Sequence, residues 1–241
     1  MEDSVYKDMI DQEQHHWWFK ARKEILQSHM NNLNLPKNAK ILEIGCGTGG
    51  NIKMLQKYGK VKAIEMDTFA LNYALNTGVE IKQGSLPHHF PFNEKFDLIC
   101  MFDVLEHIEE DLKTLEVIQK YLNPLGVLFI TVPAYQWLYG SHDRMLHHKR
   151  RYNKKSLQTI LHKSKFKIQY FSFFNTFLFP FVLVSRILDI LKKSNQSIGY
   201  SIPNKILNKF FYTIFRSENK FLKFISFPYG TSLLVISTPK K

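Results

Sequence analysis

The chain has 241 residues, 44% of them hydrophobic, which suits one core-bearing domain; its two cysteines, Cys46 and Cys100, exclude a disulfide framework or a cysteine metal site. The formal net charge of +12 sits behind residue 153, where residues 154–241 carry 15 Lys and Arg against only Asp189 and Glu218, a bias suited to a membrane, nucleic acid or phosphorylated substrate. No run of 18 uncharged apolar residues occurs and the acidic start MEDSVYKDMI is unlike a signal peptide, so no spanning helix is expected and a cytoplasmic protein is.

Residues 12–31 read as a helix with Trp18, Ile25, Leu26 and Met30 on its apolar side, and LPKN punctuates its end. AKILEIG is a short apolar run ending at glycines, the pattern of a buried strand. A helix over 49–58, a strand at 61–65, a helix at 68–76 and an alternating strand VEIKQG follow. FDLICMF (96–102) is a fourth strand, and 109–122 an amphipathic helix with Leu112, Leu115, Ile118, Tyr121 and Leu122 in its stripe. NPLG reads as a turn into a fifth strand, 127–132. Strands alternating with helices imply right-handed crossovers and a mainly parallel sheet, with ligands at the carboxyl ends of the strands.

After Pro133 the rhythm stops. Residues 134–153 read as a long loop dense in His, Arg and aromatics, and loops of that length are usually functional. Asn153 is placed to cap the helix KKSLQTILHKS, FKIQYFSFF is a sixth strand, 177–193 and 203–225 are two further helices, and SLLVIST (232–238) is the last strand.

ILEIGCGTGG (41–50) has two readings. Gly45, Gly47 and Gly50 spell the dinucleotide fingerprint; Glu43, Gly45, Gly47 and Gly49 spell a loop suited to S-adenosylmethionine. Either ligand needs glycines, because the backbone turns sharply and approaches the ligand without a Cβ between. Glu43 favours the second reading. A carboxylate repels a pyrophosphate and attracts the ammonium group of a methionine moiety, directly or through water. Glu65, ending the second strand, is suited to ribose hydroxyls. Asp67 reads as a helix-start residue and Glu106 as structural.

LEIGCGTG, IEMD, GSLP with FPFNEKFDLICMFDVLEHI, and LNPLGVLFITVP, in this order over residues 41–133, resemble the class I S-adenosylmethionine-dependent methyltransferases. HHWWFKAR and the closing FPYGTSLLVIST resemble a bacterial type 11/type 23-like subgroup. WLYGSHDRMLHHKRRYN resembles that subgroup's pattern of HD, then GH, then RRY, with His147 where relatives often have Gly. The resemblance implies a Rossmann-like, doubly wound, mainly parallel seven-stranded sheet with an antiparallel last strand. It also implies one methyltransferase domain over 1–241: an N-terminal helical cap (1–39), a cofactor core (40–133), an active-site loop (134–153), a helical insertion (174–228) and the last strand (231–238). The implied cofactor is S-adenosylmethionine. Glu43, Gly45, Cys46, Gly47, Thr48 and Gly49 would surround its amino-acid part and ribose. Glu65 would hold the ribose, Met66 pack on adenine, Ser85 and Leu86 meet the adenine edge, and Phe102, Asp103 and Val104 line the methionine end.

Methyl transfer needs an aligned nucleophile, and a base where that nucleophile is a hydroxyl. Candidate catalytic groups are His107, His142, Asp143 and His148, a histidine beside a carboxylate being readily tuned. Arg150 and Arg151 suit phosphate or carboxylate recognition. His142, Asp143 and His148 lack a recognised ligand spacing, so no metal is expected. The 174–228 insertion, with its large apolar residues and flanking Lys, suits a lid, a homodimer face or a peripheral contact at the inner membrane face. The expected acceptor is a small molecule, a glycan or a lipid-linked compound methylated at oxygen. FDVL stands where nucleic-acid amino methyltransferases carry an NPPY-like tetrapeptide, so no specific nucleic acid is expected. The competing readings are an NAD-dependent oxidoreductase and a non-catalytic cofactor-binding protein.

Overall fold

The structure, a computed structural model, describes residues 10–184 and 202–240. Seven strands form one sheet: β1 (Ala39–Ile44), β2 (Gly59–Glu65), β3 (Glu80–Gln83), β4 (Phe96–Phe102), β5 (Leu122–Pro133), β6 (Phe166–Phe174) and β7 (Ser232–Pro239). Their order is β3-β2-β1-β4-β5-β7-β6. The β1, β2, β3, β4 and β5 pairings are parallel, and β7 runs antiparallel to both β5 and β6. β1 and β4 are buried along almost their whole length, as apolar strands covered on both faces must be.

The helices that frame the sheet include α1 (Trp17–Met30), α2 (Ile52–Leu55), α3 (Thr68–Ala74), α4 (Asp111–Tyr121), α5 (Ser141–Met145), α6 (Lys154–Lys163), α7 (Lys205–Ser217) and α8 (Asn219–Leu222). Asp67 caps α3, its Oδ1 accepting from the amides of Phe69 (2.9 Å) and Ala70 (3.1 Å). Asn153 caps α6 by accepting from the Ser156 amide at 2.8 Å. Two apolar layers flank the sheet. One holds α1, α2 and the side chains of α7 and α8; the other packs Leu115, Ile118, Leu157 and Leu161 of α4 and α6.

Four details differ from the sequence reading. The helix expected over 49–58 is regular only at Ile52–Leu55, because the glycine loop and its turns extend through Asn51. NPLG is not a free turn: β5 starts at Leu122, and the register jumps from Phe96↔Leu122 to Leu98↔Val127 around it. The 134–153 segment is not structureless, since it contains a 3-10 turn at Gln136–Leu138 and α5. The helix expected over 203–225 breaks into α7 and α8 at Glu218, whose buried Oε1 turns away to accept from the Phe177 amide at 2.7 Å. The helix expected over 177–193 is described only to residue 184, where 179–184 are helical.

α7 docks on α1. Phe211 and Phe215 pack on Trp17 at ring separations of 5.5 and 5.9 Å, and Phe215 stacks on Phe174 at 6.0 Å. Asn208 accepts from the Trp17 amide at 2.8 Å. The insertion therefore braces the N-terminal helix. Phe215→Ala should cost about 3–5 kcal/mol of unfolding free energy in urea denaturation, the usual loss for a buried phenylalanine. A cost below about 1 kcal/mol would show that α7 does not hold α1.

Candidate active site

The carboxyl ends of β1, β2, β4 and β5 open into one cleft of about 840 Å³. Its floor is the glycine loop. Gly45 and Gly49 have φ of +67° and +88°, a left-handed backbone that L side chains rarely adopt. A Cβ at Gly45 would come within 2.7 Å of the Val104 side chain, so the β1 and β4 ends pass too close for any other residue. Gly50 is not the ordinary helical residue that its position suggests: it lies in a turn, and the Glu13 carboxyl occupies the space that its Cβ would need.

Glu65 ties this loop to β2. Its Oε2 accepts from the Gly47 amide at 2.7 Å, and its Oε1 from the amides of Met66 and Asp67, both at 2.9 Å. Burial raises the Glu65 pKa and these three donors oppose the rise. A carboxylate offers about four acceptor sites, so capacity remains for a hydroxyl in the cleft. Met66 is 65% exposed beside it, a free apolar surface and not a core residue. Ser85 and Leu86 also border the cleft, in a small turn where the Ser85 and His89 backbones exchange hydrogen bonds of 3.0 and 2.8 Å.

Glu43 does not reach the cleft. It is buried, and its Oε1 accepts from Asn51 Nδ2 at 2.9 Å. Asn51 lines the cleft, and donating its amide to Glu43 leaves its Oδ1 as an acceptor. Glu43, expected to meet an ammonium group, meets Asn51 instead. Thr48 and Gly49 also stand outside the lining; Thr48 donates to Glu13 Oε2 at 2.9 Å, fastening the N-terminal segment over the loop. Cys46 borders the cleft, but burial raises its thiol pKa and leaves it an inert filler.

The opposite wall comes from β4 and α1. Asp103, just past β4, has φ +58°, an unusual conformation for a non-glycine residue and one associated with functional turns. It forms a close ion pair with Arg22 of α1. Arg22 is buried, with its guanidinium over the rings of Trp18 (5.1 Å) and Phe102 (5.6 Å). Trp17, Trp18, Phe19 and Lys23 complete this side.

Beyond Asp103 lies a second polar cluster. The 3-10 turn Leu105–His107 carries Glu106 and His107, and the 141–152 segment folds back onto it: the Lys149 amide donates to the Glu106 carbonyl at 2.8 Å, and Tyr152 Oη donates to Asp111 at 2.9 Å. Asp143 is the pin of that segment. Fully buried, it accepts from His148 Nδ1 at 2.9 Å and Arg151 Nε at 2.7 Å through Oδ1, and from the Gly140 amide at 2.8 Å through Oδ2. Burial would raise the Asp143 pKa, but these bonds outweigh it and hold the carboxyl well below its ordinary range. His147 has φ +58°, which accounts for the preference for Gly in the GH pair. The HD, GH and RRY pattern is thus one hydrogen-bonded unit. Arg151 serves Asp143, and Arg150 pairs with Glu109 and Asp111, so neither is a loose basic group.

His107 and His148 face one another edge to face, ring centres 4.6 Å apart, and both line the cleft with His142. Burial, followed by the neighbouring His148, lowers the His107 pKa to about 3, which makes it a poor proton acceptor. Asp143 does not border the cleft and acts on it through His148 and Arg151, which do. Glu13, Arg22, Lys23, Asn51 and Glu106 are cleft residues that the sequence reading did not place there.

A family model for a methyltransferase domain matches residues 13–176. The chain belongs to this methyltransferase family. Among curated relatives, it is 27% identical over 143 residues to a ubiquinone biosynthesis O-methyltransferase of Haemophilus ducreyi, a match covering 51% of this chain and 61% of the relative. It is 30% identical over 117 residues to phosphoethanolamine N-methyltransferase 1 of Arabidopsis thaliana, covering 45% and 24%. The chain therefore spans less than two thirds of the length of these relatives. In fold it is similar to an S-adenosylmethionine-dependent methyltransferase from Clostridium acetobutylicum (TM-score 0.60, 13% identity, covering 99% of this chain and 97% of that one). It is also similar to phosphoethanolamine N-methyltransferase 2 of Haemonchus contortus in complex with S-adenosyl-L-methionine (TM-score 0.60, 16% identity, 90% and 52%).

The family's cofactor is S-adenosylmethionine, and this methyltransferase fits it. The glycine loop leaves room for a close backbone approach, Glu65 retains acceptor capacity, Met66 offers a bare apolar face, and Asn51 presents an oxygen suited to an ammonium group. The dinucleotide reading of the glycines is overturned by the family match and by β7, which runs antiparallel between β5 and β6.

Glu43 gives a pH test. Burial raises its pKa from 4.5 to about 8, against the lowering effect of Asn51. The folded protein thus keeps a proton that the unfolded chain loses. The group's stabilisation is complete below the unfolded pKa and is lost as pH rises through the folded one. Glu43→Gln removes that loss, so denaturant titrations should show the variant gaining on the parent between about pH 4.5 and 8, by roughly 5 kcal/mol in all. A stability difference unchanged across that range would contradict the buried, protonated state.

Proposed function

We propose that this protein transfers the methyl group of S-adenosylmethionine to an oxygen of a small-molecule, glycan or lipid-linked acceptor. The observation that carries the reading is the continuity of the cleft, from Gly45, Asn51 and Glu65 at one end to His107 and His148 at the other. When bound, S-adenosylmethionine supplies a methyl group made electrophilic by its positively charged sulfur. Glu65, Met66 and Asn51 would hold the adenosine and amino-acid ends. The Arg22–Asp103 pair would fix the wall between the two halves and keep α1 closed over it. Trp17, Trp18 and Phe19 exclude water, while the histidines offer the acceptor polar contacts; proximity and orientation supply much of the acceleration. Oxygen as the acceptor atom draws support from the ubiquinone biosynthesis O-methyltransferases among the relatives.

A lipid-linked acceptor draws on the outer side of α7 and α8. Ile206 (82%) and Phe224 (86%) are exposed there beside Lys205, Lys209, Lys220 and Lys223. No helix among the described residues is long and apolar enough to cross a membrane. Pelleting with anionic vesicles at low salt is expected for such an acceptor; protein that stays in the supernatant would favour a soluble one.

The primary test is ligand-induced thermal stabilisation. S-adenosylhomocysteine at 100 times its Kd should add about 2.7 kcal/mol, NADH should add nothing, and Glu65→Ala should lose most of the gain. A shift with NADH and none with S-adenosylhomocysteine would refute the methyl-donor assignment.

A further inference from the structure

Glu106 stands out among the buried groups. It is 0% exposed, borders the cleft, and apart from its own backbone amide neither carboxylate oxygen has a hydrogen-bond partner. A buried carboxylate in that state is costly and calls for a counter-charge or a ligand. Beside it stand two imidazoles. One ligand atom each from Glu106, His107 and His148 lie within 4.8 Å of one another.

The imidazoles are also held from behind. His148 Nδ1 is bound to Asp143, so its other ring nitrogen remains for the cleft. The backbone of Leu146 hydrogen-bonds the His107 ring. Metal-binding histidines usually donate their second nitrogen to a carboxylate or backbone carbonyl in this way, which fixes the tautomer and ring plane. Asp143 is itself fixed by Arg151 and the Gly140 amide.

We propose that Glu106, His107 and His148 form a binding site for a first-row divalent cation at the acceptor end of the cleft. Two imidazoles and one carboxylate suit Zn²⁺, Mn²⁺ or Fe²⁺ better than Mg²⁺, and three protein ligands leave positions open. Asp143 stands behind His148, outside the ligand set. An open position facing the cleft would take an acceptor hydroxyl, orienting its oxygen and making it more acidic. That last role rests on the methyl-transfer reading; cation binding does not.

The test uses the untagged full-length protein, stripped with chelator and titrated with Co²⁺, Mn²⁺ and Zn²⁺ by calorimetry, with the visible Co²⁺ spectrum as a second readout. One equivalent should bind, with Co²⁺ bands typical of nitrogen and oxygen ligation. Glu106→Gln and His148→Ala should each weaken binding more than about tenfold, and His147→Ala, beside the site, should not. His107→Gln provides a third variant should either of the first two fail to give a cooperative melt. Absence of binding below millimolar cation, or equal affinity in the folded variants, would overturn the site. S-adenosylhomocysteine stabilisation is measured on the same samples. Stabilisation without cation binding would overturn this proposal and leave the methyl-donor reading standing; cation binding without stabilisation would support the site and count against that reading.

Discussion

A carboxylate without water must fill its oxygens with donors, and Asp143 does so with a backbone amide, an imidazole and a guanidinium. Much of the histidine end of the cleft depends on that arrangement. The three donors come from Gly140, His148 and Arg151, so one buried group closes the 140–151 stretch on itself. The closed unit then lies against the Leu105–His107 turn through the Lys149 amide and Tyr152. Asp143 fixes the His148 ring, and with it the relation of that ring to His107 and Glu106 on the facing turn.

The cofactor side follows the same logic with different donors. Glu65 gathers three backbone amides from the glycine loop and the β2 end, and Glu43 orients Asn51. Both side chains set the shape of a backbone or an amide, and Glu43 does so from behind the cleft wall. Arg22 joins the halves: it is anchored on α1, paired with Asp103 at the β4 end and stacked on Phe102. α7 reaches this wall indirectly, by packing on Trp17. The helical insertion is therefore part of what keeps the cleft walled, whatever its outer face meets.

Much of this was legible in the sequence. β4 and β6 fall on residues 96–102 and 166–174 as their apolar patterns and flanking turns indicate, and Asp67 and Asn153 cap where their residue types suggest. The glycine loop announced itself because positive φ and close backbone approach leave few alternatives to Gly. Other parts were hidden for physical reasons. Arg22 sits in FKARKE, which looks like a solvated charged stretch; Asp103 and Thr131, distant in sequence, and the rings of Trp18 and Phe102 make its burial tolerable. Glu106 in LEHIEE reads as structural, and nothing in the sequence shows that it borders the cleft. Glu43 looked like a direct ligand because sequence shows that a carboxylate is near, not that Asn51 stands between. The loop over 134–153 hid its order because its partners are spread over Leu105, Glu106 and Asp111 as well as itself.

In the proposed arrangement one cleft holds the methyl donor with its adenosine at Met66 and Ser85 and its amino-acid end at Asn51, leaving the histidine cluster for the acceptor. A crystal structure of the S-adenosylhomocysteine complex tests this most directly. The expected result is the ribose on Glu65, the amino group near Asn51 and the Asp143-bound loop in place over His107 and His148. A ligand lying in the reverse direction, or seated against the histidines with the glycine loop empty, would contradict it.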